Sequence, residues 1–330
     1  MKKEYTEGDK NKKSILPLAM LAAGGMVTAS AVGTACLYLS VMKRKHTDVQ
    51  RTTRMAGADW EQYKEFLEER KAYVFAQEHE EVYQTSFDGL KLHAFWFPPK
   101  EDEKGKKKVV ICFHGYTSQA LKDFLALSQY YLEAGYGMLQ PDARAHGGSE
   151  GEYIGFGCLD RHDAMKWINW VIETCGEDVE ILLHGISMGG ATVLMASGLE
   201  LPDQVKGIVS DCAFTSPKEV FTHVLHTMFH MPAFPIIPMT DVVNQKLAGY
   251  GMDECNARDE VAKAKIPILF IHGSKDTFIP PSMCQELYDC CASPKKMLIV
   301  EGAAHAESYF KDRGVYEEAL NQFTKEIFKD

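Results

Sequence analysis

Ser187 lies in Gly185-Ile186-Ser187-Met188-Gly189. Gly-x-Ser-x-Gly is the pattern of a serine nucleophile held on a tight strand-to-helix turn. The pattern recurs at Gly147-Gly148-Ser149-Glu150-Gly151, so flanking sequence must separate the two serines. Ser187 follows the apolar run VEILLH and precedes GGATVLMAS, which is rich in helix formers. Ser149 sits in DARAHGGSEGEYIGFG, where no helical pattern begins until about residue 158, and it reads as part of a strand-to-helix loop. A serine hydroxyl needs a base, and the base needs an orienting acid. His305 follows the apolar run KKMLIVEG, and Asp276 follows IPILFIHG. The order serine, acid, histidine, each one loop past a strand, predicts a triad of Ser187, Asp276 and His305. Asp211, which ends VKGIVSD, remains a rival acid, while Asp142 and His146 in PDARAHGG read as loop-fixing groups. The amides of Met188, next to the nucleophile, and Tyr116, in Phe113-His114-Gly115-Tyr116, are expected to hold a developing oxyanion.

The elements that must position these groups are legible as an alternation. EEVYQTSF and LKLHAFWF, joined by Asp88-Gly89, predict a hairpin. From residue 107 onward, short continuous apolar runs alternate with helical patterns, which predicts parallel βαβ units with strands buried on both faces. The alternation breaks over residues 214–258, read as a small helical cap inserted in a domain spanning 80–330. Within it, PKEVFTHVLHTMFH is a helix with Val220, Phe221, Val224, Leu225, Met228 and Phe229 on its apolar face. His223, His226 and His230 occupy the opposite face at spacings that could hold zinc, but no carboxylate or cysteine completes a site nearby, so no metal is expected. MPAFPIIPM is expected not to be regular helix because of its prolines. Its Met and Phe suit either a lid over an apolar acyl pocket or ordinary packing on the sheet.

Residues 14–42 carry no charge, enough to cross a bilayer as one helix. This predicts a basic tail (1–13), a transmembrane helix (14–42), a helical connector (43–79) and then the globular domain. Ala29-Ser30-Ala31 keeps a cleaved signal peptide open as an alternative. Five Lys/Arg precede the span and five follow it by residue 54, so the side of the membrane holding the domain is not assigned. Gly25, Ala29 and Gly33 share one helix face, which suits a transmembrane homodimer or is simply composition. The chain has 9 cysteines and no CxxC pair, a usage that leans toward reduced thiols. A net charge of −10 argues against nucleic-acid binding. The run EDEKGKKK reads as a solvated loop.

CFHGYTS, PDARAHGGSEG, HGISMGG, HGSKDTFIP and GAAHAES together resemble bacterial α/β-hydrolases of the serine-aminopeptidase-like and esterase branch, some of them membrane-tethered, over about residues 60–330. The resemblance implies a mostly parallel, doubly wound sheet with a cap and an acyl-enzyme mechanism without a cofactor. The expected substrate is a carboxylic ester with an apolar acyl group. A short peptide, cleaved as by a serine aminopeptidase, is the alternative within enzymes, and a non-catalytic membrane-tethered binding module is the alternative outside them. A histidine base acts only when neutral, so activity is expected to fall below about pH 6.5.

Overall fold

The structure, a computed structural model, describes residues 31–35, 38–44, 57–101 and 105–328. In chain order its strands are β1 (Glu80–Thr85), β2 (Lys91–Phe97), β3 (Lys108–Phe113), β4 (Gly137–Pro141), β5 (Glu180–Ile186), β6 (Val205–Asp211), β7 (Ile268–Gly273) and β8 (Lys295–Val300). Its helices are α1 (Lys64–Phe75), α2 (Leu125–Glu133), α3 (Asp160–Cys175), α4 (Met188–Ala196), α5 (Pro217–Met228), α6 (Ile236–Leu247), α7 (Ala257–Val261), α8 (Pro281–Cys290), α9 (Ser308–Lys311) and α10 (Arg313–Phe328).

The strands form one eight-stranded sheet in the order β1-β2-β4-β3-β5-β6-β7-β8. The β1–β2 hairpin is antiparallel, as Asp88-Gly89 predicts, and β2 meets β4 antiparallel; the remaining pairs are parallel. The continuous apolar runs are explained by burial on both faces. In β3, Val109, Ile111 and Phe113 join one core cluster, while Val110 and Cys112 join the other. Trp167 and Val171 of α3 and Leu194 of α4 cover the first face. Leu127 and Tyr131 of α2 and Phe323 of α10 cover the second. The strand order reverses between β3 and β5, and the loops beyond the carboxyl ends of β3, β5, β7 and β8 lie at this end of the sheet, the usual ligand face of such sheets.

Two expectations change. The prolines of MPAFPIIPM do not exclude a helix: α6 begins at Ile236, with Pro235 before it and Pro238 in its first turn. First-turn N–H groups lack intrahelical acceptors, so proline costs little there. Phe229, assigned to the buried face of the cap helix, is 52% exposed, because α5 ends at Met228.

Residues 14–30 of the expected transmembrane helix lie outside the described residues. Among the described residues no helix is long and apolar enough to cross a membrane. The end of the uncharged stretch is folded onto the globular domain: Tyr38–Met42 forms a single π-helical turn with Tyr38 and Met42 in the core. Met42 O accepts from Ile154 N at 2.9 Å, and Arg44 N donates to Glu152 O at 2.8 Å. The described connector follows expectation, with a 3₁₀ turn at Trp60–Tyr63 running into α1.

Candidate active site

Ser187 stands between β5 and α4 with φ 57° and ψ −114°, a left-handed backbone rare for a residue with a side chain. The glycines on either side make this turn possible. A Cβ at Gly185 would collide with the Gly189 carbonyl, and one at Gly189 would collide with the Phe113 carbonyl of β3. Ser187 N donates to Asp211 O at 2.8 Å, pinning the turn to β6.

The three residues expected to form a triad meet at this point. His305 Nε2 lies 2.9 Å from Ser187 Oγ, and His305 Nδ1 lies 2.7 Å from Asp276 Oδ2. Asp276 Oδ1 accepts the N–H groups of Phe278 (2.9 Å) and Ile279 (2.8 Å), which fixes the carboxylate plane. Burial opposes ionisation of Asp276, but His305 and His272 outweigh it and hold its pKa far below the ordinary value. The arrangement accommodates a neutral imidazole that donates from Nδ1 to Asp276 and accepts the serine proton at Nε2.

The rival acid is engaged elsewhere. Asp211 Oδ1 accepts from Ser308 Oγ at 3.3 Å, and Oδ2 accepts from the Tyr316 hydroxyl at 3.1 Å. With only neutral donors in contact, burial raises its pKa to about 6. Sequence reasoning passed over His272, whose Nε2 lies 2.9 Å from Ile279 O and 3.4 Å from Asp276 Oδ2. Burial disfavours a charged His272, but the Asp276 carboxylate outweighs it and lifts the pKa to about 10. The available signal was its place in β7, four residues before the acid. Among the described residues, the cluster of potential metal ligands is Cys212, Asp276 and His305. Two of these are bonded to each other within the triad, and burial pushes the Cys212 thiol well up, away from the thiolate a metal requires.

The loop after β3 abuts the serine: a Cβ at Gly115 would lie 3.2 Å from Ser187 Cβ, and Gly115 N donates to Asp123 Oδ2 at 2.7 Å. Tyr116, one expected oxyanion donor, follows Gly115 in this loop, and Met188, the other, follows Ser187. Two buried histidines brace the loop. His114 Nε2 accepts from Ala143 N at 2.9 Å, and His146 Nε2 accepts from Thr117 N at 3.3 Å. Burial and the neighbouring His114 lower the His146 pKa to about 3, so His146 stays an acceptor at neutral pH. Asp142 accepts from Ala120 N (2.7 Å), Gly148 N (2.8 Å) and His93 Nδ1 (2.7 Å), the loop-fixing role expected of it. Ser149, the rejected nucleophile, donates to Asp142 O at 2.7 Å and accepts from His93 N at 2.9 Å.

This geometry has known counterparts. The serine aminopeptidase S33 family matches residues 104–250. A Pyrococcus furiosus esterase, Pf2001, superposes with a TM-score of 0.61 at 20% identity, covering 77% of this chain and 93% of that one. Est1E from Butyrivibrio proteoclasticus, solved with ferulic acid bound, gives 0.57 at 21% identity over 76% of this chain and 100% of its own. The chain has the α/β-hydrolase fold. Among sequence relatives, the uncharacterized Bacillus subtilis protein YqkD is 27% identical over 308 residues, 92% of this chain and 96% of YqkD.

Ser187, Asp276 and His305 are covered. Ser187 is 6% and His305 7% exposed. The Phe278 ring packs 5.0 Å from His305. From the cap, His223 Nε2 reaches Thr277 O at 3.2 Å, whereas His226 and His230 face solvent. The Tyr116 ring stacks on Phe156, which in turn meets Phe221 of α5, and the Tyr116 hydroxyl donates to Val41 O at 3.1 Å. On the opposite side, Glu307 accepts from Ala304 N (2.8 Å) and from the Tyr63 hydroxyl (2.7 Å), so the connector buttresses the loop that carries His305.

Proposed function

We propose that this α/β-hydrolase is a serine esterase that cleaves carboxylic esters through an acyl-enzyme and is held to a membrane by residues 14–30. The observation that carries the reading is the continuous hydrogen-bonded line Ser187 Oγ, His305 Nε2, His305 Nδ1, Asp276 Oδ2 on a strained elbow. Ser187 Oγ attacks the ester carbonyl carbon while His305 Nε2 takes its proton. The amides of Met188 and Tyr116 stabilise the oxyanion, each contributing about 3 kcal/mol by analogy with measured oxyanion donors. The tetrahedral adduct collapses, and the departing alcohol takes the proton back from His305. Water, deprotonated by the same imidazole, then attacks the acyl-enzyme and releases the acid.

Esterases among the structural neighbours support an ester substrate. The serine aminopeptidase match supports a second reading, in which the acyl group is an amino-terminal residue of a short peptide. Fluorophosphonate labelling tests the mechanism: wild type should label, and Ser187→Ala should not label and should lose on the order of 10⁴-fold or more in ester turnover. Labelling that survives Ser187→Ala would overturn the assignment. Turnover of p-nitrophenyl acyl esters against aminoacyl p-nitroanilides then separates the two substrate readings.

A further inference from the structure

Five large apolar side chains stand exposed on the cap and on the chain beside it: Phe234 (78%), Val32 (57%), Val242 (53%), Phe229 (52%) and Leu247 (52%). Phe229 and Phe234 flank the turn between α5 and α6, and Val242 and Leu247 lie on α6. The stretch holding Val32 packs against the start of α6: a Cβ at Gly33 would lie 3.3 Å from Ile236 Cδ1 and 3.4 Å from Met231 Cε. Single exposed apolar residues are unremarkable on a soluble surface, but a cluster of this kind marks a surface that meets something apolar.

The length of chain preceding this cluster says what it meets. From Gly33 to Arg44 the chain is fastened to the domain, through Ile236, Tyr116, Ile154 and Glu152. Of the uncharged stretch, only Ser14 to Val32, nineteen residues, is left to cross a bilayer, and Lys13 bounds it on the far side. A helix of that length spans about 28 Å, against about 30 Å for the hydrocarbon core. The anchor therefore has no slack. If it crosses, the cap is drawn onto the membrane surface. The net charge of −10 offers no general electrostatic attraction to lipid, which leaves apolar contact to hold the face down.

We infer that the corner of the cap bearing Phe229 and Phe234, with Val32 beside it, docks into the interface of the bilayer that residues 14–30 enter. The inference rests on the anchoring proposed above and not on the catalytic reading.

Full-length protein reconstituted in phosphatidylcholine vesicles tests it. Phe229→Trp and Phe234→Trp place reporters on the corner, and Phe75→Trp, exposed at the end of α1, serves as control. Emission added at 229 and 234 should be quenched at least about twofold when the lipid acyl chains are brominated near the carbonyl, as expected for side chains seated at the headgroup boundary. Emission added at 75 should be unaffected. Three results overturn the inference. Quenching at 229 and 234 by aqueous iodide but not by brominated lipid means the cap stands in water. Protection from both quenchers means a protein surface covers it, either another part of this chain, a second copy or a partner protein. Release of the protein from vesicles by alkaline carbonate removes the anchor and the inference with it, whereas retention with unquenched reporters leaves the anchor standing and sinks docking alone.

Discussion

Two serines share one five-residue pattern and differ in what their hydroxyls touch. Ser187 Oγ faces an imidazole nitrogen, whereas Ser149 Oγ is spent on Asp142 O and His93 N. Ser149→Ala should therefore leave fluorophosphonate labelling intact and lower stability by about 1–3 kcal/mol, read by urea denaturation, because it orphans buried backbone groups. The two buried aspartates divide in the same manner. Asp276→Asn should cost about 10⁴-fold in kcat with the fold retained, since an amide cannot hold the imidazole in its accepting tautomer. Asp211→Asn should leave labelling by the probe and change stability in a pH-dependent way. The Asp211 pKa rises on folding from 3.8 to about 6. Both folded and unfolded chains are protonated there below about pH 4, so the site is then neutral to stability. As pH climbs through 6, the folded protein must carry a buried charge, and stability is lost. The substitution should stabilise by on the order of 1–3 kcal/mol at pH 8 and have little effect at pH 4. An equal effect at both pH values would contradict the assigned burial cost. Asp276 and Asp142 act with the opposite sign: their lowered pKa values add stability above the ordinary carboxylate range that is lost on acidification.

The elbow is the element on which the site depends. β5, α4 and β3 approach so closely that Gly185 and Gly189 admit no side chain. Gly189→Ala should cost several kcal/mol or prevent folding, measured by soluble yield and circular dichroism, because the obstruction is the Phe113 carbonyl of a central strand and backbone there has nowhere to move. A soluble, active Gly189→Ala enzyme would mean the turn is looser than described. The connector has a role its own pattern did not announce. Trp60 and Tyr63 pack on Phe310 with ring centroids 5.1 and 5.0 Å away, and Tyr63 bonds Glu307, two residues past His305. Helical spacing marked these aromatics as one face of a segment. What lay opposite that face was more than two hundred residues away in sequence.

For the whole molecule, the folded domain does not begin where the uncharged stretch ends. Hydropathy draws it at Met42, yet Met42 is 0% exposed and lies in the same core cluster as Trp167 and Leu194. Met42→Ala should destabilise the catalytic domain by about 2–5 kcal/mol, the usual cost of truncating a fully buried methionine, read by thermal unfolding in detergent. A change confined to membrane insertion, with unfolding unaltered, would show instead that this segment is passive. The same packing brings Val41 to the Tyr116 hydroxyl, so the last residues of the uncharged stretch are bonded to the loop whose Gly115 abuts Ser187.

The sequence by itself determined the class of fold, the order of its strands and helices along the chain and which of the two Gly-x-Ser-x-Gly serines stands on a strand-to-helix turn. Each of these is written locally, in runs buried on two faces, in period-3.6 patterns, and in glycines that a strained turn cannot do without. It favoured Asp276 as the acid by chain order and kept Asp211 as a rival, because both end or follow apolar strands. Only the tertiary structure decided between them, by placing Asp276 under the His305 ring and turning Asp211 toward Ser308 and Tyr316. It also decided that His272 touches the acid, that a proline-bearing segment is helical from its first turn, and that Phe229 faces outward. The reason is the same in each case. A hydrogen bond or a buried contact belongs to two segments at once, and a single stretch of sequence records only its own half.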